Sequence, residues 1–263
     1  MTLPLFLTLV RHGQSEANIV QRMVKDGGSQ VEVPAGFVER HDSFMRLSPL
    51  GVEQATATGE FLAAEPDFDR FYVSPHIRAR ETAHHLSLDG AWRIDDRVRE
   101  RDYGEVASHI PLDDETRRIR SLHEWYWKPN GGESMSTGVR LRAESIINSL
   151  YRRDGVNNAV IVAHGEFIRT AQFVIERLTP EALLRMEDNP ALRIHNTMVV
   201  QYTRQNPNDP EEMASHYKWR RAVCPWDRSL DWDGGEWVSV AAVKFSDQDL
   251  LESVERYDRL LTP

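Results

Sequence analysis

The sequence predicts an α/β fold, a three-layer sandwich with a mainly parallel central sheet and helices on both faces. Three observations predict it. Leu5 to Val10, apart from Thr8, and Ala159 to Ala163 are continuous apolar runs, the pattern of strands buried on both faces. Ser48-Pro49 and Ser74-Pro75 are helix-start pairs, with Ser suited to the cap and Pro to the first helical position. Strand-like and helix-like stretches then alternate along most of the chain, which favours parallel pairing through helical crossovers.

Each element has its own signal. Behind Ser48, the residues Val52, Ala55, Gly59 and Leu62 recur at helical spacing. Phe68 to Val73 reads as the second strand, and the helix opened by Ser74-Pro75 runs to about Leu86. Trp92 to Ile94 reads as a short third strand. A helix is expected over Leu112 to Trp127, broken by Pro129-Asn130-Gly131-Gly132. Ser134 is placed to cap a long helix whose stripe is Val139, Ala143, Ile146 or Ile147, and Leu150. Phe167 to Leu178 predicts a helix with Ile168, Ala171, Val174 and Leu178 inward, and Met198 to Tyr202 predicts a strand. The chain ends with a strand near Trp237 to Phe245. A helix follows, capped by Ser246 and Asp249, whose stripe Leu250, Val254, Tyr257 and Leu261 is expected in the core. Residues 1–263 read as one domain. Lys25 to Arg46, with Gly27-Gly28 and Pro34-Ala35-Gly36 as breakers, reads as an insertion, and residues 204–263 as a C-terminal extension, with the tryptophans of Asn206 to Trp237 in core or lid packing.

Composition narrows the function classes. The chain has 263 residues, 40% hydrophobic, enough for one substantial core. A formal net charge of −9 without a basic stretch argues against nucleic acid as a partner. No apolar run approaches membrane-spanning length, and the short apolar start reads as a strand and not a signal peptide. The single cysteine, Cys224, allows no internal disulfide and fits a reducing compartment, so a cytoplasmic protein is expected. An oligomer is compatible with the sequence but not specified by it.

The chemistry collects where strands end. In an open parallel sheet, ligands sit beyond the carboxyl ends of the strands. Arg11 and His12 follow the first strand, Ser74-Pro-His-Ile-Arg78 the second, Arg99-Glu100-Arg101 the third, and His164-Gly165 the run Ala159 to Ala163. Two histidines, several arginines and a carboxylate thus fall on one edge of the sheet. The set suits phosphoryl transfer. Arginine offers permanently charged, planar donors to phosphate oxygens. A neutral imidazole is a competent nucleophile near pH 7. A carboxyl group with a raised pKa can protonate the leaving oxygen. Fixed cations neutralise the phosphoryl group, so no metal and no cofactor is required.

Five stretches together resemble the histidine phosphatase superfamily, the group that includes cofactor-dependent phosphoglycerate mutase and many phosphatases. They are Leu9-Val-Arg-His-Gly-Gln-Ser-Glu-Ala-Asn18, Ser74-Pro-His-Ile-Arg78-Ala-Arg-Glu-Thr82, Glu100, Gly131-Gly-Glu-Ser134 and Val162-Ala-His164-Gly165. Order and spacing match over residues 5 to 203. The resemblance implies a phosphoglycerate mutase-like fold. It implies a phosphohistidine at His12, with Glu100 as proton donor and His164 beside them. It implies a phosphate pocket lined by Arg11, Arg78, His164 and Gly165, with Asn18 touching phosphate or substrate. Ala17 stands where the glycolytic mutases carry Trp, which tilts the expectation toward a phosphatase.

The expected activity is that of a metal-independent phosphomonoesterase acting on a small phosphorylated substrate. A phosphoglycerate mutase-type phosphotransferase and a silent phosphate-ligand binding protein stand as alternatives. Blander roles fall to other residues. Arg80 and Arg101 read as surface or salt-bridge residues, Ser74 as a helix cap before a phosphate ligand, and His84-His85 as unconnected with metal.

Overall fold

The computed structural model describes residues 2–27, 33, 35–104, 113–151, 155–242 and 244–261. Gly28 and Pro34 of the expected breakers, and Leu112 at the expected helix start, lie outside that set. In chain order, β1 (Phe6–Arg11) leads to α1 (Glu16–Gly27), a short α2 (Ala35–Val38) and a 3-10 turn at Asp42–Phe44. Then come α3 (Pro49–Leu62), β2 (Arg70–Val73), α4 (Ile77–His85), β3 (Trp92–Ile94) and α5 (Asp114–Leu122). A π turn at Met135–Val139 enters α6 (Arg140–Tyr151), followed by β4 (Asn158–Ala163), α7 (Gly165–Glu176), α8 (Pro180–Asp188) and β5 (Val199–Thr203). The small hairpin β6 (Gln205–Asn206) and β7 (Asp209–Met213), then β8 (Trp219–Val223), β9 (Val238–Ser239) and α9 (Asp247–Glu255) complete the order.

The main sheet runs β3-β2-β4-β1-β5-β8-β9. Strands β3, β2, β4 and β1 are parallel neighbours, while β5, β8 and β9 continue the sheet antiparallel. All six residues of β4 are buried, as its unbroken apolar sequence requires of a central strand. Its residues alternate between two cores. Ala159, Ile161 and Ala163 pack with Leu7, Leu9 and the α6–α7 side, and Val160 and Val162 with Val10, Phe71, Leu62 and the α3–α4 side. The α6 stripe is Val139, Ala143, Ile146 and Leu150, all buried, with Ile146 and not Ile147 innermost. The segment beyond 204 supplies β8 to this sheet and buries Trp219 and Trp232.

Several expectations need correction. Ser48 does cap α3, accepting from Gly51 N, but α4 begins at Ile77 with His76 at its cap position, so Ser74 caps no helix. The strand expected near Trp237 to Phe245 is only Val238–Ser239, and the helix after Asp113 stops at Leu122. Ser134 caps a π turn before the α-helix starts. On α9 the Ser246–Asp249 capping box is present, yet Leu250, Val254 and Tyr257 are 52%, 65% and 70% exposed, so this stripe is outside the core. Helical periodicity specifies which residues share a face, not what covers it. Among the described residues, no helix is long and apolar enough to cross a membrane.

Two substitutions separate these faces. Ile146→Ala should lower the unfolding free energy by about 2–5 kcal/mol in urea titrations. Leu250→Gln should change it by no more than about 0.5 kcal/mol. A core-sized loss at Leu250 would contradict the exposure of α9.

Candidate active site

The sheet register builds the site. β1 and β4 pair in parallel with Arg11 opposite Ala163, so the next residues, His12 and His164, leave the sheet at the same level. Their ring centroids stand 5.0 Å apart at 61°. Val73 of β2 lies opposite Val162, which sets Ser74 at the other side of His164. Two helices start here without a side-chain cap, α4 after His76 and α7 after His164. Their first N–H groups and positive dipole ends are therefore free of a capping side chain.

Hydrogen bonding decides the state of His12. Its Nδ1 lies 2.7 Å from Gly13 O, and a carbonyl only accepts, so Nδ1 carries the proton. The lone pair is then on Nε2, which accepts from Arg78 Nε at 3.2 Å. Burial, then the Arg78 and Arg11 charges, hold the His12 pKa well below the usual imidazole value. The ring is neutral, with its nucleophilic nitrogen aimed at a guanidinium. The backbone at Gly13 is crowded: a Cβ there would stand 2.4 Å from Gly51 O at the start of α3. Gly13 N donates to Thr82 Oγ1 at 3.0 Å, tying the same segment to α4.

The other expected residues surround this pair. Arg78 is buried, and beyond His12 it donates to Asp42 O at 2.7 Å and Asp42 Oδ2 at 2.9 Å. Arg11 Nη1 donates to Ile194 O at 2.6 Å, while its buried Nε has no hydrogen-bond partner among the described residues. Burial, partly offset by Glu100, pulls the Arg11 pKa down to about 10, so it stays a cation at neutral pH. His164 shares a hydrogen bond of 2.7 Å between its Nε2 and Ser74 Oγ. Its Nδ1 is buried without a hydrogen-bond partner among the described residues, 3.8 Å from Glu100 Oε2. Burial, then the Arg78 charge, keeps His164 neutral too. The Gly165 position abuts Arg11: a Cβ there would meet Arg11 Nε at 3.5 Å, an ordinary contact. Asn18 Oδ1 accepts from Ser15 N, Ser15 Oγ and Asn196 Nδ2, and Asn196 also donates to His12 O at 3.0 Å.

Glu100 has the environment of an acid. Burial, reinforced by the Glu166 charge and opposed by Arg78, raises its pKa to about 7. Its segment is held from below by the Gly-Gly-Glu-Ser stretch. Glu133 accepts from Arg99 Nη2 at 2.6 Å and Arg142 Nη2 at 2.8 Å, and Arg142 Nη1 donates to the carbonyls of Arg97 and Arg99. Next to Glu100, Arg101 departs from the surface reading. It is 3% exposed, donates to Glu133 O and Trp127 O, and sits 3.6 Å from Glu166 Oε2. Tyr103 OH donates to Glu166 Oε1. Arg80 is exposed, as expected.

Sequence reasoning missed Asp42, His76, Asn196 and Glu166. His76 stacks edge-on against His164 with centroids 4.7 Å apart, and burial, then Arg78, depresses its pKa to about 4. Glu166 follows His164-Gly165 directly and was within reach of strand-end reasoning. Asp42 carried no such signal, because only the return path of a long loop brings it to Arg78.

The tautomer yields a direct check. In nitrogen-15 spectra of the imidazoles at neutral pH, His12 should show a protonated Nδ1 and an unprotonated Nε2, with its titration displaced well below the ordinary imidazole range. A His12 that titrates near pH 6.5 would contradict the geometry.

Known proteins share this arrangement of strands and helices. The family model described as Histidine phosphatase superfamily (branch 1) matches residues 7–208. The 2,3-bisphosphoglycerate-dependent phosphoglycerate mutase of Azorhizobium caulinodans is 32% identical over 197 residues, 69% of this chain and 86% of that protein. Its counterpart from Brucella ovis is 32% identical over 206 residues, 72% of this chain and 89% of that protein. Among solved structures, mycobacterial glucosyl-3-phosphoglycerate phosphatase with VO3 aligns with a TM-score of 0.59 at 22% identity, over 75% of this chain and 92% of that one. Phosphoserine phosphatase from Entamoeba histolytica in complex with phosphoserine aligns at 0.58 and 18% identity, over 76% of this chain and 91% of that one. At such identities the structural likeness concerns the fold. With the family match across most of the chain, this protein belongs to branch 1 of the histidine phosphatase superfamily.

Proposed function

We propose that this protein is a phosphomonoesterase that works through a phosphohistidine on His12 and needs no metal ion. The observation that carries the proposal is the state of His12: Nδ1–H bound to Gly13 O, Nε2 unprotonated, and Arg78 Nε 3.2 Å from that nitrogen. A phosphoryl group delivered there meets a nucleophile and a cation together. Arg11, Arg78 and the α7 start at Gly165 would share the charge of the equatorial oxygens, with His164 Nδ1 as a further contact. Glu100, protonated at neutral pH or just below, gives its proton to the leaving oxygen. The P–O bond to the alcohol breaks as the P–Nε2 bond forms. In the second half, Glu100 as carboxylate takes a proton from water, whose oxygen attacks phosphorus and releases His12.

The phosphatase names of the structural neighbours support hydrolysis, and so does Ala17, the position at which the family resemblance leads one to expect Trp in a glycolytic mutase. Transfer back to a phosphoglycerate is the second reading, favoured by the mutases at 32% identity. Release of inorganic phosphate from a panel of phosphomonoesters, set beside interconversion of 3-phosphoglycerate with and without a bisphosphate primer, decides between them. Hydrolysis without a primer requirement supports the proposal. Primer-dependent isomerisation without phosphate release overturns it. EDTA should leave turnover unchanged, since the arginines supply the positive charge.

Glu100 can be tested by leaving group and by pH. Glu100→Gln should slow alkyl phosphates by about 100-fold or more and aryl phosphates far less, because only a poor leaving group needs the proton. The raised pKa places the active protonated form below about pH 7. The alkyl-to-aryl ratio of kcat/KM should therefore fall as pH rises through 7, and Glu100→Gln should flatten that limb. Equal losses for both substrate types would remove Glu100 from the acid role.

A further inference from the structure

We infer that Asp42, from the segment between α1 and α3, is a positioning residue that holds the Arg78 guanidinium in its working orientation at His12. This deepens the phosphoryl-transfer reading and rests on it for its catalytic meaning.

Arg78 is held at three points. Nε–H donates to His12 Nε2 at 3.2 Å, Nη1 to the Asp42 carbonyl at 2.7 Å, and Nη2 to the Asp42 carboxylate at 2.9 Å. Two of the three come from one residue, Asp42. A long arginine side chain has several rotamers, and its planar fork serves a phosphoryl group only when its edge faces the phosphorus. The His12 contact alone leaves the guanidinium free to swing about Nε. The Asp42 pair removes that freedom before substrate arrives, so orientation is not charged against the transition state.

Asp42 is itself fixed by parts of the two motifs that have no chemical task. It begins the 3-10 turn Asp42–Phe44, whose cap is the His41 side chain accepting from Ser43 N. The returning strand of chain is tied to α1 by Arg46 N donating to Glu16 Oε2 at 2.9 Å, and by Glu16 N donating to Arg46 O at 3.0 Å. It is tied to α4 by Leu47 N donating to Glu81 Oε2 at 2.9 Å and by the Arg46–Glu81 ion pair. Glu16 lies four residues after His12 and Glu81 three after Arg78. Each catalytic segment thus carries an anchor for the loop that returns to brace Arg78. The carboxylate keeps 40% of its side-chain surface exposed, so the contact is not required for packing and its removal leaves the core intact.

The test is a double-mutant cycle of Asp42→Ala and Arg78→Ala, with unfolding temperature as the control for folding. Asp42→Ala should lower kcat/KM for an aryl phosphate by about 10- to 100-fold. Asp42→Asn, which keeps an oxygen acceptor for Nη2, should recover most of that loss. In the Arg78→Ala background, adding Asp42→Ala should change the rate by no more than about twofold. The dissociation constant of inorganic phosphate, measured by calorimetry, gives the same cycle without turnover, and Asp42→Ala should shift it only when Arg78 is present. An equal effect of Asp42→Ala in both backgrounds, or none in either, overturns the inference. Coupled phosphate affinities in a protein that hydrolyses no phosphomonoester would sustain the inference and end the phosphatase reading instead.

Discussion

One hydrogen bond underlies the site: the Nδ1–H of His12 donating to the carbonyl of its neighbour Gly13 at 2.7 Å. It makes one nitrogen a donor and leaves the other as the only lone pair of the ring. The segment that carries the bond lies directly against the start of α3, where Gly13 and Gly51 let two stretches of backbone meet without Cβ atoms between them. Fold and chemistry meet at this point. A strand end supplies rigidity, a glycine supplies the carbonyl, and the tautomer follows.

The surrounding electrostatics keep that state while preparing for a dianion. Two guanidinium groups and complete burial suppress imidazolium at His12 and His164, so neither ring competes with the arginines for the phosphoryl charge. The same burial acts in the opposite sense on Glu100, where it favours the neutral form that the proposed reaction would use as its acid. Burial thus keeps two imidazoles neutral and raises the Glu100 pKa to about 7, while Arg11 stays a cation. The Glu133–Arg142 scaffold contributes by position. It fixes the backbone around Glu100, whose carboxyl oxygen lies 3.8 Å from His164 Nδ1.

Much of this was legible in the residues. The apolar runs that became β1 and β4 leave no other role than central strands, and parallel pairing then forces His12 and His164 together. Arg78 was readable because it lies in the first turn of the helix after β2. What was hidden depends on packing between distant segments. The burial of Arg101 comes from its place between the rings of Tyr103 and Trp127, which no local pattern announces. Ser74 looked like a helix cap, but Pro75 delays the helix and the hydroxyl serves His164 instead. The exposed stripe of α9 shows the converse limit, since amphipathic spacing marks a face without saying that this chain covers it.

The proposed chemistry depends on which atom receives the phosphoryl group. The decisive measurement is to quench the enzyme during turnover of a phosphorus-labelled ester, isolate the phosphopeptide, and assign the modified nitrogen by NMR. The geometry predicts phosphate on Nε2 of His12 and nowhere else. Phosphate on Nδ1, on another side chain, or turnover with no phosphoenzyme at any quench time would contradict it.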